Sequence, residues 1–215
     1  MAEGYRTVAE RARASHEVQG SRFLGYVAPI EGPAEAEALL AECRETHPDA
    51  THHVPAYRVR TGPDRDLLRE YEDDDGEPGG SAGAPALSVL RNRDLVNVAA
   101  VVVRYYGGTN LGVGGLARSY SRAVGEAVDA AGVATRQPTR TIAVSVGYDD
   151  SGTVRGLLES EGFEFEADYA ETVAFAVTVP VDRTAELTDR LLSATSGRAD
   201  IVEESMEGSP GRGCR

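Results

Sequence analysis

Residues 95–132 read LVNVAAVVVRYYGGTNLGVGGLARSYSRAVGEAVDAAG. The valine-rich run that opens the stretch is β-branched and bounded by turn residues, which predicts a buried strand ending at Tyr105 or Tyr106. GGTNLGVGG then interrupts the apolar pattern. From Gly115 onward apolar residues recur at helical spacing until Gly132, a helix stop. A buried strand, a glycine-rich turn and a long amphipathic helix in succession predict a sheet and helices sharing one core, an α+β arrangement.

Working toward the N-terminus, HEVQGSRFLGYVAPI (16–30) reads as a strand or hairpin, and PAEAEALLAECRETH (33–47) as a helix with Pro33 in its first turn. HHVPAYRV (52–59) and LLREYEDD (67–74) read as strands, and a further helix begins after Pro78-Gly79-Gly80-Ser81 with Ser81 as its N-cap. Toward the C-terminus, AGVATRQPTR holds Gly132 and Pro138, so a linker is expected over 133–139. It separates a domain 1–137 from a domain 138–205 and a frayed tail 206–215. In the second domain TIAVSVGY, FEFEADY, ETVAFAVTVP and RADIVEES alternate like strands. Between them lie a helix capped by Asp149 or Asp150 and running to about Glu161, and a helix within VDRTAELTDRLLSATSG. The order β-α-β-β-α-β is that of a ferredoxin-like split unit.

The 215 residues are 41% hydrophobic, enough for one large or two small cores. All 22 basic residues besides histidine are arginine, which excludes mechanisms built on a Schiff-base, P-loop or general-base lysine. Against them stand 35 acids, a net charge of −13, so a polyanion would have to be met by a local patch. Up to Pro138 there are 15 arginines and 20 acids, net −5, and beyond it 7 and 15, net −8, which makes the first domain the better polyanion binder. Two cysteines, Cys43 and Cys214, have neither CxxC nor zinc spacing. With no apolar leader and no run of about 18 apolar residues, the sequence predicts a cytoplasmic protein that does not contact membrane.

Nine of the 24 glycines fall between Gly76 and Gly115. They sit in DDDGEPGGSAGAP (73–85) and RYYGGTNLGVGGLARS (104–119), where the backbone must turn tightly or approach something closely. In the second segment, amides from Gly112 to Leu116 open a helix and would face an anion. Gly112, Gly114 and Ala117 satisfy a loose GxGxxA, but the acid that should follow on a second strand is absent, so a dinucleotide fold is not indicated. From Arg91 to Arg122, five arginines (91, 93, 104, 118 and 122) meet only Asp94 before the helix interior, a local positive patch. Arg104 beside Tyr105 and Tyr106 combines a bidentate phosphate donor with rings that stack on bases. Asp75 and Glu77 flank Gly76 and would orient the arginines. His52 and His53, adjacent on a strand, point to opposite faces, so one of them lines the site and the two cannot share a metal. The acidic run 64–77 lacks EF-hand spacing, and no metal or cofactor is expected. No GxSxG elbow accompanies Ser81, so no catalytic residue is assigned.

DDDGEPGGSAGAPALSVL (73–90) followed by residues 95–123 resembles the signature of the IMPACT/YigZ family, with SRF at 21–23 and THHVPAYR at 51–58 similar to its upstream elements. The resemblance implies a first domain with the fold of the second domain of a small-ribosomal-subunit protein, and a second domain like the last domain of elongation factor G. It implies nucleic-acid or ribosome association for bacterial members, without an established reaction. Eukaryotic relatives regulate translation through an added N-terminal domain that has no counterpart in this sequence. Carried over by position, the anion or nucleic-acid site comprises Arg22, His52, Asp75, Gly76, Glu77, Gly79, Gly80 and Ser81. It continues through Arg104, Tyr105, Tyr106, Gly107, Gly108, Asn110, Gly112, Gly114, Gly115 and Arg118. Ser81 and Asn110 stand where many relatives carry Thr and Lys, and Tyr106 replaces a Phe. Two alternatives are an enzyme on a phosphorylated small molecule and a scaffold using the acidic second domain against a protein partner.

Overall fold

The structure is a computed structural model that describes residues 4–62 and 67–203. The expected tail, Cys214, and Asp64, Arg65 and Asp66 of the acidic run lie outside the described residues. The chain divides into two compact units, Tyr5–Arg136 and the part from Gln137 onward.

The first unit holds a five-stranded antiparallel sheet in the order β2-β3-β6-β4-β5. Its strands are β2 (Ala12–Val18), β3 (Ser21–Pro29), β4 (His52–Thr61), β5 (Leu67–Glu72) and β6 (Val98–Tyr105). The valine-rich run is β6, the central strand, and alternation explains why it is apolar throughout. Val98, Ala100 and Val102 enter the core under α2 (Gly83–Asn92) and α3 (Gly112–Ala131), while Ala99, Val101 and Val103 enter the core under α1 (Pro33–Thr46). The sheet is therefore covered on both faces. Gly25 on β3 lets α3 come close, since a Cβ there would stand 2.2 Å from the Ala123 carbonyl oxygen.

One expectation is corrected here and one strand was missed. Residues 133–136 are not linker but strand β7 (Val133–Arg136), paired antiparallel with β1 (Tyr5–Val8) from Tyr5 opposite Arg136 to Val8 opposite Val133. Four residues of mixed polarity between Gly132 and Pro138 carry too little alternation to announce a strand, and the partner lies at the other end of the unit. β1 itself sits in a charged segment that composition alone does not mark as structured.

The second unit is the ferredoxin-like split unit: β8 (Thr139–Val146), α4 (Tyr148–Glu161), β9 (Glu164–Tyr169), β10 (Val173–Pro180), α5 (Thr184–Ala194) and β11 (Asp200–Glu203), in the antiparallel order β11-β8-β10-β9. β10 alternates buried and exposed positions, and Val173, Phe175, Val177 and Val179 pack with Val154, Leu158, Leu187 and Leu191 of the two helices. Asp149 and Asp150 do not cap α4. Gly147 holds the N-cap position without a side-chain cap, and Asp150 instead accepts two hydrogen bonds from Arg198, at 2.8 and 2.7 Å.

Candidate functional site

Four segments meet at one end of the first sheet: the β2–β3 turn, the start of β4, the 73–82 loop and the β6–α3 loop. The β2–β3 turn and the β6–α3 loop are in close contact. Gly107 N–H donates to Ser21 Oγ at 3.1 Å, and a Cβ on Gly107 would fall 1.9 Å from the Gly20 carbonyl carbon. Tyr106 N–H donates to Thr51 Oγ1 at 3.1 Å, tying the same loop to β4.

Beneath these loops lies a buried charged cluster. Glu77 Oε1 accepts from Arg104 Nη1 at 2.5 Å and from Tyr120 Oη at 2.7 Å. Both ionised side chains are nearly sealed, at 4% exposure for Glu77 and 5% for Arg104. The guanidinium also lies 5.4 Å from the ring centres of Phe23 and of Tyr106, cation–π contacts that help replace lost hydration. Burial and the Glu77 carboxylate push the Tyr120 phenol far above its ordinary range, so it is a fixed donor. His52 joins from β4: its Nδ1 donates to the Asp75 carbonyl at 2.7 Å, leaving Nε2 3.9 Å from Glu77 Oε1.

The acidic loop is organised by Asp74, which sequence reading did not single out for the site. Its Oδ2 accepts from Gly80 N–H at 2.6 Å, and its Oδ1 from Ala82 and Gly83 N–H at 2.9 Å each. Asp74 thus caps α2 from eight residues upstream of Ala82, the N-cap position. Ser81 does not serve as the cap: it is fully buried and its Oγ has no hydrogen-bond partner. Asp75, at φ +46, accepts from His53 N–H at 2.6 Å and pairs with Arg44 at 3.3 Å.

Burial would raise the Asp74 carboxyl, but the amides of Gly80, Gly83 and Ala82 outweigh it and hold the group below its ordinary value. A carboxyl lowered by folding adds stability above its unfolded value of about 3.9 and loses it as pH falls through the folded value. Asp74→Asn is expected to destabilise the first unit by about 1–2 kcal/mol at pH 7. The deficit should shrink as pH falls through the lowered folded value, where wild type loses the charged cap as well. Urea midpoints at pH 7 and across the acid range check this.

The positive patch expected over 91–122 is corrected. Arg91 binds Glu70 through two nitrogens, Arg93 pairs with Asp129, Arg104 with Glu77, and Arg122 with Glu126 at 2.7 Å. Glu70 comes from β5, Asp129 from the far part of α3, Glu77 from the 73–82 loop and Glu126 from one helical turn on, so a count over 91–122 missed them. Arg104 in particular is an internal ion-pair partner, not an exposed phosphate donor. Arg118 and Arg22 are exposed and have no carboxylate partner among the described residues, with Arg22 lying 4.6 Å over the Tyr105 ring. The two tyrosines separate as well. Tyr105 is half-buried, its hydroxyl 2.9 Å from His47 Nδ1, whereas Tyr106 is 46% exposed with its hydroxyl donating to Asn110 at 3.1 Å.

Gly79, Gly80, Gly108 and Gly112 have nothing within 4 Å of a Cβ position and face open space. Gly76 lies against His52, Gly114 near Arg118 and Gly115 against Leu111. Among the described residues no group of three or more His, Cys, Asp or Glu could hold a metal ion. Burial pushes the Cys43 thiol up to about 11, and among the described residues no helix is long and apolar enough to cross a membrane.

The fold and this site define a two-unit α+β protein: a helix-covered antiparallel sheet with a glycine-rich end, and a ferredoxin-like unit. Residues 19–128 match the Impact N-terminal domain and residues 144–198 a domain of unknown function (DUF1949). The chain is 34% identical over 207 residues to the IMPACT family member YvyE of Bacillus subtilis, covering 96% of this chain and 94% of that protein. It is 33% identical over 187 residues to YigZ of Escherichia coli, covering 86% and 91% respectively. A crystal structure described as that of a hypothetical protein has a TM-score of 0.72 at 31% identity, over 96% of this chain and all of the other. The chain belongs to the IMPACT family.

Proposed function

We propose that the first unit binds RNA or a ribosomal surface through the loop-bearing end of its sheet, in a translation-linked and non-enzymatic role. The observation that carries this reading is that Arg22 and Arg118, each without a carboxylate partner among the described residues, stand at the same end of the unit as an exposed Tyr106 and a loop of open glycines. Arginine without an internal partner is free to take a phosphate bidentately. An exposed ring stacks on an unpaired base, and bare backbone allows close approach. The second unit, net −8 by sequence, would repel the same polyanion and is the surface left for a basic protein partner. The translation link comes from the implied likeness of the two domains to a ribosomal protein and an elongation factor.

Binding of the full chain to fluorescent single-stranded RNA across a salt titration tests the reading. Arg22→Gln and Arg118→Gln are each expected to reduce the slope of log affinity against log salt by about one. Slopes equal to wild type in both variants would overturn the assignment.

A further inference from the structure

His16, on β2, is only 8% exposed, yet neither of its ring nitrogens has a hydrogen-bond partner. Glu126 Oε2 stands 3.7 Å from Nδ1, beyond hydrogen-bond reach. One ring face stacks on Phe23, with centres 5.3 Å apart and planes 8° from parallel. The ring also borders a cleft of about 330 Å³ lined by His16, Gln19, Leu111, Gly115, Arg118 and Arg122, among others. A buried polar group without a partner is uncommon in folded proteins and calls for an explanation.

The surroundings specify what would satisfy it. Arg118 lines the cleft without a carboxylate partner among the described residues. Arg122 spends its Nε on Glu126, and its side chain is 59% exposed. Beside the cleft, α3 begins without an acidic residue in its first turn and without a side-chain cap, so the positive end of its dipole is unmatched. Two guanidinium groups, an imidazole and a helix start form a donor-rich concavity with one carboxylate at its edge. Its volume is at the lower end of small-ligand sites, which suits a phosphoryl group and its immediate ester.

We infer that this cleft is a phosphate-group site in which His16, Arg118 and Arg122 hold the oxyanion. The inference rests on the polyanion reading above for where an RNA backbone would run, and it adds His16 and Arg122 to that surface. The phosphate could equally come from a free phosphorylated molecule, because the recognising chemistry is the same.

The groups facing His16 are Arg118, Arg122, Glu126 and Ser119 from α3 and the neutral Phe23 ring from β3. In the free protein, burial and Arg122 lower the imidazole below its ordinary value and Glu126 partly restores it. A bound phosphate oxyanion adds a second negative partner, so phosphate bound to the folded full chain should raise the pH at which His16 takes up its proton.

The experiment follows the histidine ring signals by NMR during titration with inorganic phosphate and then with single-stranded RNA. His16→Gln identifies the His16 resonances, and the amide spectrum of each variant reports its fold. Phosphate is expected to saturate, to shift the His16 signals selectively and to raise their pH midpoint by about one unit. Arg118→Gln, an exposed change, should weaken phosphate about tenfold with an unchanged amide spectrum elsewhere. Competition between RNA and phosphate at His16 would identify the backbone as the source. Phosphate binding that RNA does not disturb supports the site for a free phosphorylated ligand, whatever becomes of the RNA reading. Absence of any phosphate-dependent change at His16 at millimolar concentrations overturns the site, even if RNA still binds through other residues.

Discussion

Replacing Glu77 by alanine is expected to remove about 3–5 kcal/mol from the stability of the first unit. Arg104 cannot lose its proton, and without Glu77 its guanidinium is left under the loops with Ser21 Oγ at 3.4 Å and two ring faces. Tyr120 loses its acceptor in the same change. Glu77→Gln, which keeps an acceptor oxygen for Tyr120 but not the charge, should fall nearly as far, because the uncompensated cation is the dominant loss. Glu77→Gln with Arg104→Met should be more stable than Glu77→Gln alone, since removing both charges also removes the cost of burying them. Urea unfolding of these proteins together with Arg104→Met alone at pH 7 measures this coupling. Single-variant losses below about 1 kcal/mol would mean that the pair is hydrated like a surface bridge.

The cluster also explains how the sequence could group segments that the structure brings together and yet give Arg104 a role that its burial excludes. DDDGEPGGSAG and RYYGG are brought together as their glycine content and the family resemblance imply. Exposure depends on partners that arrive from elsewhere, and periodicity does not encode them. Arg104 on β6 alternates toward the same face as Val102, so a strand reading already turns it inward. Its neutralisation needs Glu77 from a loop 27 residues earlier. Arg93 finds Asp129 at 36 residues' separation and Arg91 finds Glu70 at 21, so a charge count over 91–122 describes composition and not field. Helices and strands of the second unit were legible because each alternates or repeats cleanly over its own length. β1 and β7 were not, since each has four residues and pairs only across the whole unit. His16 carried one usable signal: it shares a strand face with Ala12 and Ala14, so the two-residue alternation places a titratable ring in the core.

Gly107→Ala separates the structural glycines from those left for a ligand. A Cβ at this position would stand 1.9 Å from the Gly20 carbonyl carbon, 2.3 Å from its oxygen and 2.3 Å from Ser21 N. All three are backbone atoms, so no side-chain rotation relieves the contact. Either the β2–β3 turn or the β6–α3 loop must move, breaking the Gly107 to Ser21 hydrogen bond. The expected cost is about 3 kcal/mol, at the upper end of ordinary overpacking. Gly108→Ala meets nothing within 4 Å and carries only the strain of φ +85, about 1 kcal/mol. Gly79 has open space and no positive φ, so Gly79→Ala should leave the unfolding midpoint within about 0.5 kcal/mol of wild type. The close approach that demands glycine at 107 is therefore made by the protein's own backbone, whereas a methyl at 79 intrudes only on an incoming partner. If RNA runs over this end of the sheet, Gly79→Ala weakens its binding while the midpoint holds, and Gly107→Ala lowers both. Unchanged RNA affinity in Gly79→Ala would move the contact away from the 73–82 loop.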